Sequence, residues 1–238
     1  MALNARLKAL AEKILPRRIL VWLDPVQHII ESEVQRIAEQ LQDGQIVLDA
    51  GAGEARHRRY FQRGLYLALD AGYGDAGWDY SGLDICGHLE MIPLRDRSVD
   101  DILCMVVLEH TKEPKKVLLE FARILKPGGT LSLVVPFLWE EHQTPHDFFR
   151  FTRDGARSLF ESLPFRVDAI DPMGGFFWLC GRRSVAFLTF FQKGWRWILF
   201  ALLAPFFGLF IPVLFYFLDG WDKKQNYSLG FRIHATKQ

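Results

Sequence analysis

The sequence predicts an α/β fold built on a doubly wound, mostly parallel sheet of seven strands. Apolar runs of strand length alternate with helical segments along most of the chain, and this alternation is typical of parallel sheets with crossover helices. The first run, residues 46–48, ends at Asp49 and is followed by a turn containing Gly51 and Gly53. Because ligands of open α/β sheets bind at the carboxyl ends of the strands, this turn is the first candidate ligand site.

Length and composition fit one such domain with an addition. The chain has 238 residues, a formal net charge of +1 and three cysteines, none in a C-x-x-C pair. The near-neutral charge gives no indication of nucleic-acid binding. Three isolated cysteines argue against a disulfide framework and against a cysteine-rich zinc site. We expect no signal peptide, because charges recur every few residues near the start of the sequence.

The glycine turn differs from a dinucleotide-binding turn. That fingerprint is G-x-G-x-x-G, and here Arg56 stands at the third glycine position. The Asp49 carboxylate would also repel a pyrophosphate, so a cationic ligand suits the turn better. The alternative is a structural turn that binds no ligand. A helical segment is predicted to follow directly, over residues 55–62.

The remaining elements were predicted from hydrophobic periodicity and turn residues. A glycine-rich loop is expected over residues 71–80 in place of a helix. Strands are predicted at 65–69, 81–85, 101–108, 130–136, 165–170 and 227–235, and helices at 28–42, 115–125 and 153–162.

Ordered motifs give a family resemblance over roughly residues 28–175. Residues 47–53 are similar to V-L-D-x-G-x-G, residues 92–100 to L-P-F-x-D-x-S-F-D, residues 108–110 to L-E-H, and residues 123–129 to R-x-L-K-P-G-G. In this order they resemble the class I S-adenosylmethionine (SAM)-dependent methyltransferases, with a type 11/12-like domain of Rossmann-like fold. The resemblance implies a methyltransferase with SAM as its cofactor, and a sheet in which the last two strands form an antiparallel pair.

The resemblance also implies cofactor-binding residues. Asp70, at the end of the second strand, would hold the ribose hydroxyls of SAM, since one carboxylate can accept from both. Asp84 would accept from the adenine amino group, and Ile85 would pack on the ring. The predicted cofactor-binding set is Asp49, Gly51, Ala52, Gly53, Asp70, Asp84 and Ile85.

Catalytic candidates lie mainly in residues 137–152, after the fifth strand. This loop resembles P-x-D-Y-x-R-x-T, found in a subgroup that often acts in glycan or lipid pathways. Methyl transfer to a hydroxyl needs an aligned nucleophile and a base. His146 is the first candidate base, with Asp147 as its orienting partner or as a substrate anchor. The alternates are His142, Glu109 and His110.

Structural roles are the competing interpretations for several of these residues. Asp147 and Arg150 would form an ion pair that holds the loop, and His110 would cap a turn or line the cofactor pocket. A metal site would need His142, His146, Asp147 and Glu109.

The sequence favours a site without a metal ion. Some quinone O-methyltransferases resemble the chain at L-E-H but carry an extra acid just before that motif. Here the positions are Met105 and Val106, so we expect that this site binds no metal ion.

An apolar insertion separates the last two predicted strands. Residues 176–191 are interrupted only by Arg182 and Arg183, and residues 197–218 carry no charge. The second run would reach about 33 Å as a helix, enough to cross a bilayer. Both flanking strands must join one sheet, however, so a single crossing is excluded. The predicted helix breakers are Pro205, Gly208 and Pro212.

The insertion is therefore predicted to be a re-entrant or interfacial helical hairpin. Interfacial aromatic residues and headgroup-facing cations are expected beside it: Trp195, Trp197, Tyr216 and Trp221, with Arg182, Arg183, Lys193, Arg196, Lys223 and Lys224. The alternatives are a hydrophobic dimer interface or a lid over an apolar substrate. A basic amphipathic helix over residues 2–15 is the second candidate membrane contact.

These observations predict four segments: a basic N-terminal segment (1–27), a SAM-binding core (28–175), an apolar membrane-associating insertion (176–224) and the last strand (225–238). The predicted function is a monotopic methyltransferase, favouring O-methylation, at the cytoplasmic face of a membrane. Its acceptor would be hydrophobic or lipid-linked, such as a polyprenyl-linked sugar, an isoprenoid quinone or a lipid. The alternatives are a catalytically silent scaffold and a soluble, oligomeric small-molecule methyltransferase.

Overall fold

The computed structural model describes residues 13–74 and 77–238, so most of the predicted N-terminal helix lies outside the described residues. Two compact units are present. The sheet unit comprises residues 30–171 and 230–238. The helical unit comprises residues 172–229 and, of the N-terminal residues that belong to it, the described range 13–29. The elements are α1 (Arg17–Leu23), α2 (Pro25–Gln40), β1 (Ile46–Ala50), β2 (Leu65–Asp70), β3 (Ile85–Cys86), β4 (Val99–Met105), α3 (Pro114–Ile124), β5 (Leu125–Pro136), α4 (Arg153–Ser158), β6 (Phe165–Pro172), α5 (Phe176–Phe187), α6 (Trp197–Pro205), α7 (Ile211–Leu218) and β7 (Gly230–Lys237).

The sheet has seven strands in the order β3-β2-β1-β4-β5-β7-β6. Strands β1 to β5 pair in parallel, and β7 runs antiparallel to β5, with Thr130 opposite Thr236 and Pro136 opposite Gly230. The strand order reverses between β1 and β4, which is the switch point where such sheets bind ligands. The predicted fold class, a doubly wound and mostly parallel seven-stranded sheet, is confirmed.

The core lies around the central strands. Val47 and Leu48 of β1 are fully buried, as parallel strands covered on both faces require. Helix α3 contributes Val117, Leu118 and Phe121, which are also fully buried and share one helical face. The motif R-x-L-K-P-G-G spans the end of this helix and the start of β5.

Two predicted elements of the sheet unit were wrong. The helix expected over 55–62 is a short 3₁₀ helix, Arg56–Tyr60, entered through Ala55 at φ 53°. The reason is that this segment has no apolar periodicity and three arginines. The third strand is only Ile85–Cys86. The residues before it form a 3₁₀ turn, Tyr80–Gly82, in which the Asp79 side chain accepts from the Ser81 amide.

Smaller differences concern the ends of elements. Strand β4 begins and ends earlier than predicted, and the L-E-H motif forms a 3₁₀ helix, Leu108–His110. Strand β5 begins at Leu125 rather than at residue 130, and β7 begins at Gly230 rather than at residue 227. Helix α4 ends at Ser158, four residues before its predicted end.

The helical unit contains a hairpin, here called the apolar hairpin (residues 176–221), in which α5 packs on α7 and on the turn before it. Gly181 makes the close approach possible, because a Cβ there would lie 3.3 Å from the Cα of Pro212. The Trp178 and Tyr216 rings stack at 5.6 Å, so Tyr216 is an internal contact of the hairpin. Helix α1 joins the same unit through Trp22, whose ring lies 5.2 Å from that of Phe217.

The long arm of the apolar hairpin is one helix, Gly194–Trp221. The prediction that Pro205, Gly208 and Pro212 break it was wrong. A π-helical turn, Phe206–Phe210, shifts the hydrogen-bond register between α6 and α7. Ser184 donates to the Phe207 carbonyl at 2.8 Å, so a carbonyl of that turn finds a partner on α5.

This long helix is the one segment among the described residues that is long and apolar enough to cross a bilayer. A buried core helix of a soluble protein can meet the same two criteria. Here only 6% of the most apolar window is buried inside the protein.

Candidate functional site

A cavity of about 670 Å³ lies in the sheet unit at the carboxyl ends of the strands. Its volume is in the range of small-molecule binding pockets. Its wall comes from the turn after β1, the end of β2, the segment after β3, the end of β4 and the loop after β5. The lining residues used below are Gly51, Ala52, Gly53, His57, Asp70, Tyr73, Trp78, His88, Leu89, Val106, Val107, His110, His146 and Phe148.

The glycine turn has no room for side chains at Gly51 and Gly53, because neighbouring side chains already pack against both positions. Gly51 and Gly53 both have positive φ, at 84° and 54°, a conformation that glycine adopts at little cost. A Cβ on Gly51 would lie 2.4 Å from Val107, and one on Gly53 would lie 2.8 Å from Trp78. The turn is fixed because the Gly51 and Ala52 amides both donate to the Leu69 carbonyl, at 2.8 and 3.0 Å.

Asp70 lies at the end of β2 and lines the cavity, as predicted for a ribose ligand. Its two carboxylate oxygens accept from the backbone amides of Gly53 and Gly72, at 2.9 and 2.7 Å. These bonds connect the carboxylate to the glycine turn and set its orientation. Each oxygen keeps a lone pair for a further donor, so the group fits a pair of hydroxyls.

Asp49 does not line the cavity, which corrects its predicted placement. Its side chain is 1% exposed, accepts from the Tyr66 hydroxyl at 2.5 Å and pairs with His57 Nδ1 at 2.8 Å. Burial disfavours a protonated His57, but the hydrogen bond and the charge of Asp49 outweigh it, so the pKa of His57 is raised. His57 itself lines the cavity. Asp49 therefore acts on the cavity indirectly, by favouring the protonated form of this imidazole.

Asp84 and Ile85 also lie outside the cavity lining. Asp84 Oδ2 accepts from Arg58 at 2.6 Å and from the Ala68 amide at 2.7 Å. Its position before β3 explains the difference, since ligands bind after the carboxyl end of a strand. His88 and Leu89 follow β3 and do line the cavity. Sequence reasoning missed them, although they lie only a few residues before the stretch that resembles L-P-F.

Val106 is a further residue of the cavity wall, one that the sequence analysis considered only as a possible metal-ligand position. It follows β4, lines the cavity and has φ 60°, which is rare for a β-branched residue. Its amide donates to the Val134 carbonyl at 2.9 Å, which holds the strained turn against β5. Such strain occurs often at functional sites. The turn aims the next side chain, Val107, at Gly51.

His146 lines the cavity and stacks on Tyr73 with the ring centroids 4.9 Å apart. Its predicted pairing with Asp147 is wrong, because that carboxylate is paired with another side chain. Asp147 instead forms a two-bond ion pair with Arg150, at 2.6 and 2.7 Å, and accepts from the His142 amide at 2.9 Å. Arg150 lowers the pKa of Asp147 to about 2. The structural alternative for Asp147 and Arg150 is therefore what the structure shows.

The remaining catalytic candidates lie together beside the cavity. The Glu109 side chain is fully buried at 0% exposure, with Nε2 of His142 at 3.5 Å and Nε2 of His110 at 3.8 Å. His110 lines the cavity, whereas Glu109 and His142 lie behind it. Burial disfavours a protonated His142, but Glu109 and the Glu140 carbonyl outweigh it, so the pKa of His142 is raised. Sequence reasoning named all three residues and grouped Glu109 with His142 in a possible metal set, but together with His146 and Asp147 rather than with His110.

The comparisons with known proteins agree with this geometry. The family model described as Methyltransferase domain (Methyltransf_11) matches residues 48–133. This range contains most of β1, all of β2 to β4 and α3, and most of β5, and thus most of the cavity wall. The cavity accommodates the cofactor of that family, SAM, in its size, its glycine turn and its Asp70 carboxylate.

Two relatives cover parts of the chain. A human thiol S-methyltransferase, TMT1B, is 39% identical over 62 residues, which are 26% of this chain and 23% of that protein. A demethylmenaquinone methyltransferase from Renibacterium salmoninarum is 33% identical over 93 residues, 29% of this chain and 39% of that protein. The chain thus spans about a quarter of the first relative, so its activity and substrate do not follow from that similarity.

Among solved structures, the crystal structure of the cyclase SpnF matches with a TM-score of 0.53. It is 18% identical and covers 87% of this chain and 80% of that one. At this identity the similarity concerns the fold alone. Because a protein named a cyclase shares the fold, the reaction must be argued from the site rather than from the fold.

Proposed function

We propose, from the premise that the chain carries a class I SAM-dependent methyltransferase domain, that it methylates a hydrophobic or lipid-linked acceptor at the cytoplasmic face of a membrane. The proposed reaction is an O-methylation. The observation that carries the membrane part is the exposed apolar helix Gly194–Trp221. The acceptor class is one that resides in the same membrane, such as a polyprenyl-linked sugar, an isoprenoid quinone or another lipid.

The energetic argument starts from the surface of that helix. Ile198, Leu202 and Phe217 are all more than half exposed. Each buried side chain of this size contributes roughly 1.5–3 kcal/mol when it leaves water. A continuous apolar surface of this length exceeds what monomeric soluble proteins expose. A lipid environment supplies the missing burial.

The ends of the helix match a bilayer interface. Trp195 and Trp221, near its two ends, are both 74% exposed, and tryptophan is enriched at the boundary between lipid and water. Lys193 and Arg196 lie beside one end, and Lys223 and Lys224 follow the other. Cations at both ends and a short second arm favour a hairpin lying in one leaflet over a spanning helix.

The cavity supplies the chemistry. Asp70 would hold the ribose hydroxyls of SAM, and Leu89 and Trp78 would contact apolar parts of the cofactor. The glycine turn would let the cofactor lie close to the protein backbone, because no side chain projects from Gly51 or Gly53. SAM, when bound, supplies an electrophilic methyl group on a sulfonium. Aligning the acceptor and excluding water are then the tasks of the chain.

His146 is the proposed base for an acceptor hydroxyl. Among the candidates, His146 both lines the cavity and lies on the loop after β5. Its ring stacks on the ring of Tyr73, which limits its orientation. Phe148, also in the lining, gives this end of the cavity an apolar wall. A neutral imidazole can accept the hydroxyl proton as the oxygen attacks the methyl group.

Calorimetry with SAM tests the cofactor assignment. The change is Asp70→Ala, and the matched control is Asp84→Ala, which removes a carboxylate outside the cavity lining. We expect the affinity for SAM to fall at least tenfold in Asp70→Ala and to change little in Asp84→Ala, since a lost charge-assisted hydrogen bond costs about 1.5–3 kcal/mol. Equal affinities in wild type and Asp70→Ala would refute the ribose role.

Vesicle flotation tests the membrane assignment. Vesicles of phosphatidylethanolamine and anionic phosphatidylglycerol are mixed with the purified chain and centrifuged through a density step. We expect wild type to float, and a variant with Leu202→Lys and Phe217→Lys to remain at the bottom. Leu119→Lys, a half-exposed position on α3 of the sheet unit, is the control and should float. A wild-type chain that stays at the bottom as a soluble oligomer would defeat the proposal.

Transfer of a labelled methyl group from SAM tests the acceptor. Matched long-chain quinol, prenyl alcohol and alkyl thiol acceptors are presented in the same vesicles. Labelling of the oxygen acceptors with loss of activity in His146→Gln supports the proposal. Labelling of the thiol alone would replace O-methylation by S-methylation, and labelling of none in a SAM-binding chain would favour a scaffold role.

A further inference from the structure

We propose that Glu109, His110 and His142 bind a divalent transition-metal ion, with zinc as the best-fitting class. The proposal departs from the sequence-based expectation that this site binds no metal. It does not rest on the proposed methyl transfer, because it concerns three side chains whose arrangement needs a cation whatever the reaction is.

The first observation is the isolation of the Glu109 carboxylate. Its side chain is fully buried. Neither of its oxygens has a hydrogen-bond partner among the residues that the structure describes. A buried carboxylate without hydrogen bonds or a counter-charge is strongly unfavourable. The carboxylate therefore needs a positive partner in its immediate surroundings.

The second observation is the orientation of the two imidazoles. Nδ1 of His110 lies 2.7 Å from the His146 carbonyl oxygen, and Nδ1 of His142 lies 3.1 Å from the Glu140 carbonyl oxygen. A carbonyl oxygen only accepts, so each Nδ1 carries the proton in a neutral ring. The lone pair of each ring is then on Nε2, and both Nε2 atoms are buried and unpaired within the described structure.

Three electron-pair donors therefore face one another. The Glu109 Oε1 atom lies 3.5 Å from Nε2 of His142 and 3.8 Å from Nε2 of His110, and all three atoms lie within 4.8 Å of one another. Without a cation between them they would repel. A metal with bond lengths of about 2.0–2.1 Å in tetrahedral geometry places its ligands roughly 3.3–3.4 Å apart, close to the first of these separations.

A shared proton is the competing cation. It would draw a carboxylate oxygen and an imidazole nitrogen to about 2.7–2.9 Å, the length of a charge-assisted hydrogen bond. The two separations here are 3.5 and 3.8 Å. They are too long for such a bond, and one proton cannot satisfy both imidazoles. The geometry therefore favours the metal.

The surroundings also match a metal site. Metal-binding histidines usually donate their second ring N–H to a carbonyl or a carboxylate, and both imidazoles do so here. Asp147 Oδ2 lies 3.6 Å from Nδ1 of His142 and is itself held by Arg150. Two histidines and one glutamate are a ligand set that zinc uses with a fourth position left for another ligand.

The ion would connect two elements of the cavity wall. Glu109 and His110 belong to the 3₁₀ helix after β4, and His142 belongs to the loop after β5. The Phe148 amide already donates to the Glu109 carbonyl at 2.9 Å. A metal would fix the same loop through its side chains and would set the position of His146 beside it.

Cobalt titration tests the proposal. Tag-free full-length chain is treated with a chelator and then titrated with Co²⁺, whose visible absorption reports nitrogen and oxygen ligands in low coordination. We expect saturation at one ion per chain, displacement of the colour by Zn²⁺, and a melting temperature that rises with Zn²⁺ concentration. Elemental analysis of the untreated chain should find the metal at up to one per chain.

Variants assign the ligands. Glu109→Gln and His142→Gln should each lower Co²⁺ affinity at least tenfold, whereas His28→Gln, which removes an imidazole elsewhere, should not change it. The wild-type titration tests metal binding without any substitution, so the proposal can be judged even if a variant misfolds. A wild-type chain that binds no Co²⁺ or Zn²⁺, or equal affinity in all variants, would overturn it in favour of a proton between His142 and Glu109.

Discussion

Leucines in the sheet unit and in the apolar hairpin experience opposite environments. Leu48, on the central strand β1, is 0% exposed, whereas Leu202, on helix α6, is 70% exposed. Both belong to uninterrupted apolar runs of the sequence. The difference shows that an apolar run specifies the surface that must leave water, but not whether protein or another medium covers it.

The largest expected effect follows directly from this contrast. Leu48→Ala should lower the free energy of unfolding by about 2–5 kcal/mol, because it leaves a cavity in a packed core. Leu202→Ala, the same chemical change, should alter it by less than about 0.5 kcal/mol in detergent. Denaturant unfolding of both variants measures the difference. Similar losses in both would mean that the hairpin is packed like a core.

The second effect concerns space beside the glycine turn. Gly51→Ala should cost about 1–3 kcal/mol from overpacking against Val107, in addition to backbone strain, and should weaken SAM binding. Gly44→Ala is the matched control, because its φ of 83° is nearly the same but no atom lies within 4 Å. It should show only the strain, about 1 kcal/mol, and normal SAM affinity. Normal SAM binding by Gly51→Ala would argue against a cofactor at the turn.

A third prediction tests whether the hairpin is an independent packing unit. Gly181→Val should loosen α5 from α7, since even a Cβ there would lie 3.3 Å from Pro212. We expect faster amide hydrogen exchange in residues 176–221 and unchanged SAM affinity. Gly220→Val, at a position with no atom within 4 Å, should leave the exchange rates unchanged. Slow exchange in Gly181→Val would contradict the packing described.

The smallest effect is a pH dependence in the sheet unit. The pKa of His57 is raised above 6.5 in the folded chain by Asp49, despite the opposing effect of burial. Its contribution to stability is therefore fully present below the unfolded pKa and is lost as pH rises through the folded pKa.

His57→Gln tests this dependence, because glutamine keeps a donor for Asp49 but does not titrate. Wild type should exceed the variant in stability at about pH 5.5, and the difference should shrink by about pH 8.5. Urea unfolding at both pH values measures it. A difference that is constant with pH would mean that His57 does not change its charge in this range.

Much of the sheet followed from the sequence because its signals are local. Residues 46–48 and 65–69 are apolar runs ended by an aspartate, and both strands lie where they were predicted. Asp70 was placed correctly in the cavity wall, since the end of a parallel strand fixes it. The antiparallel last pair, which the family resemblance implied, is also present: the Gln238 amide donates to the Pro164 carbonyl, and Arg232 pairs with Asp171 near the opposite end.

The errors share a different cause, which is dependence on tertiary contacts. In the sequence, Asp49 has the position of a ligand-facing carboxylate. In the structure its carboxylate is instead hydrogen-bonded to Tyr66 and His57. In the sequence, Pro205 and Pro212 have the character of helix breakers. In the structure the helix continues past both of them, with a π-helical turn between them.

The cluster of Glu109, His110 and His142 depends on a contact between the 3₁₀ helix after β4 and the loop after β5, in which Glu109 and His142 are 33 residues apart in sequence. No local pattern encodes that contact. Side-chain direction at adjacent positions is likewise not readable from spacing, which is why Asp147 was matched with the wrong partner.

The position of β7 determines the order in which the chain can fold. This strand lies between β5 and β6 in the sheet, yet it is encoded after the whole apolar hairpin. During synthesis, at about 5–20 residues per second, the hairpin is therefore complete roughly 1–3 seconds before residues 230–237 are. Throughout that interval β5 has an open edge and β6 has no neighbour to pair with. The sheet can therefore close only after the whole apolar hairpin has been synthesised, because the strand that fills the gap between β5 and β6 comes last.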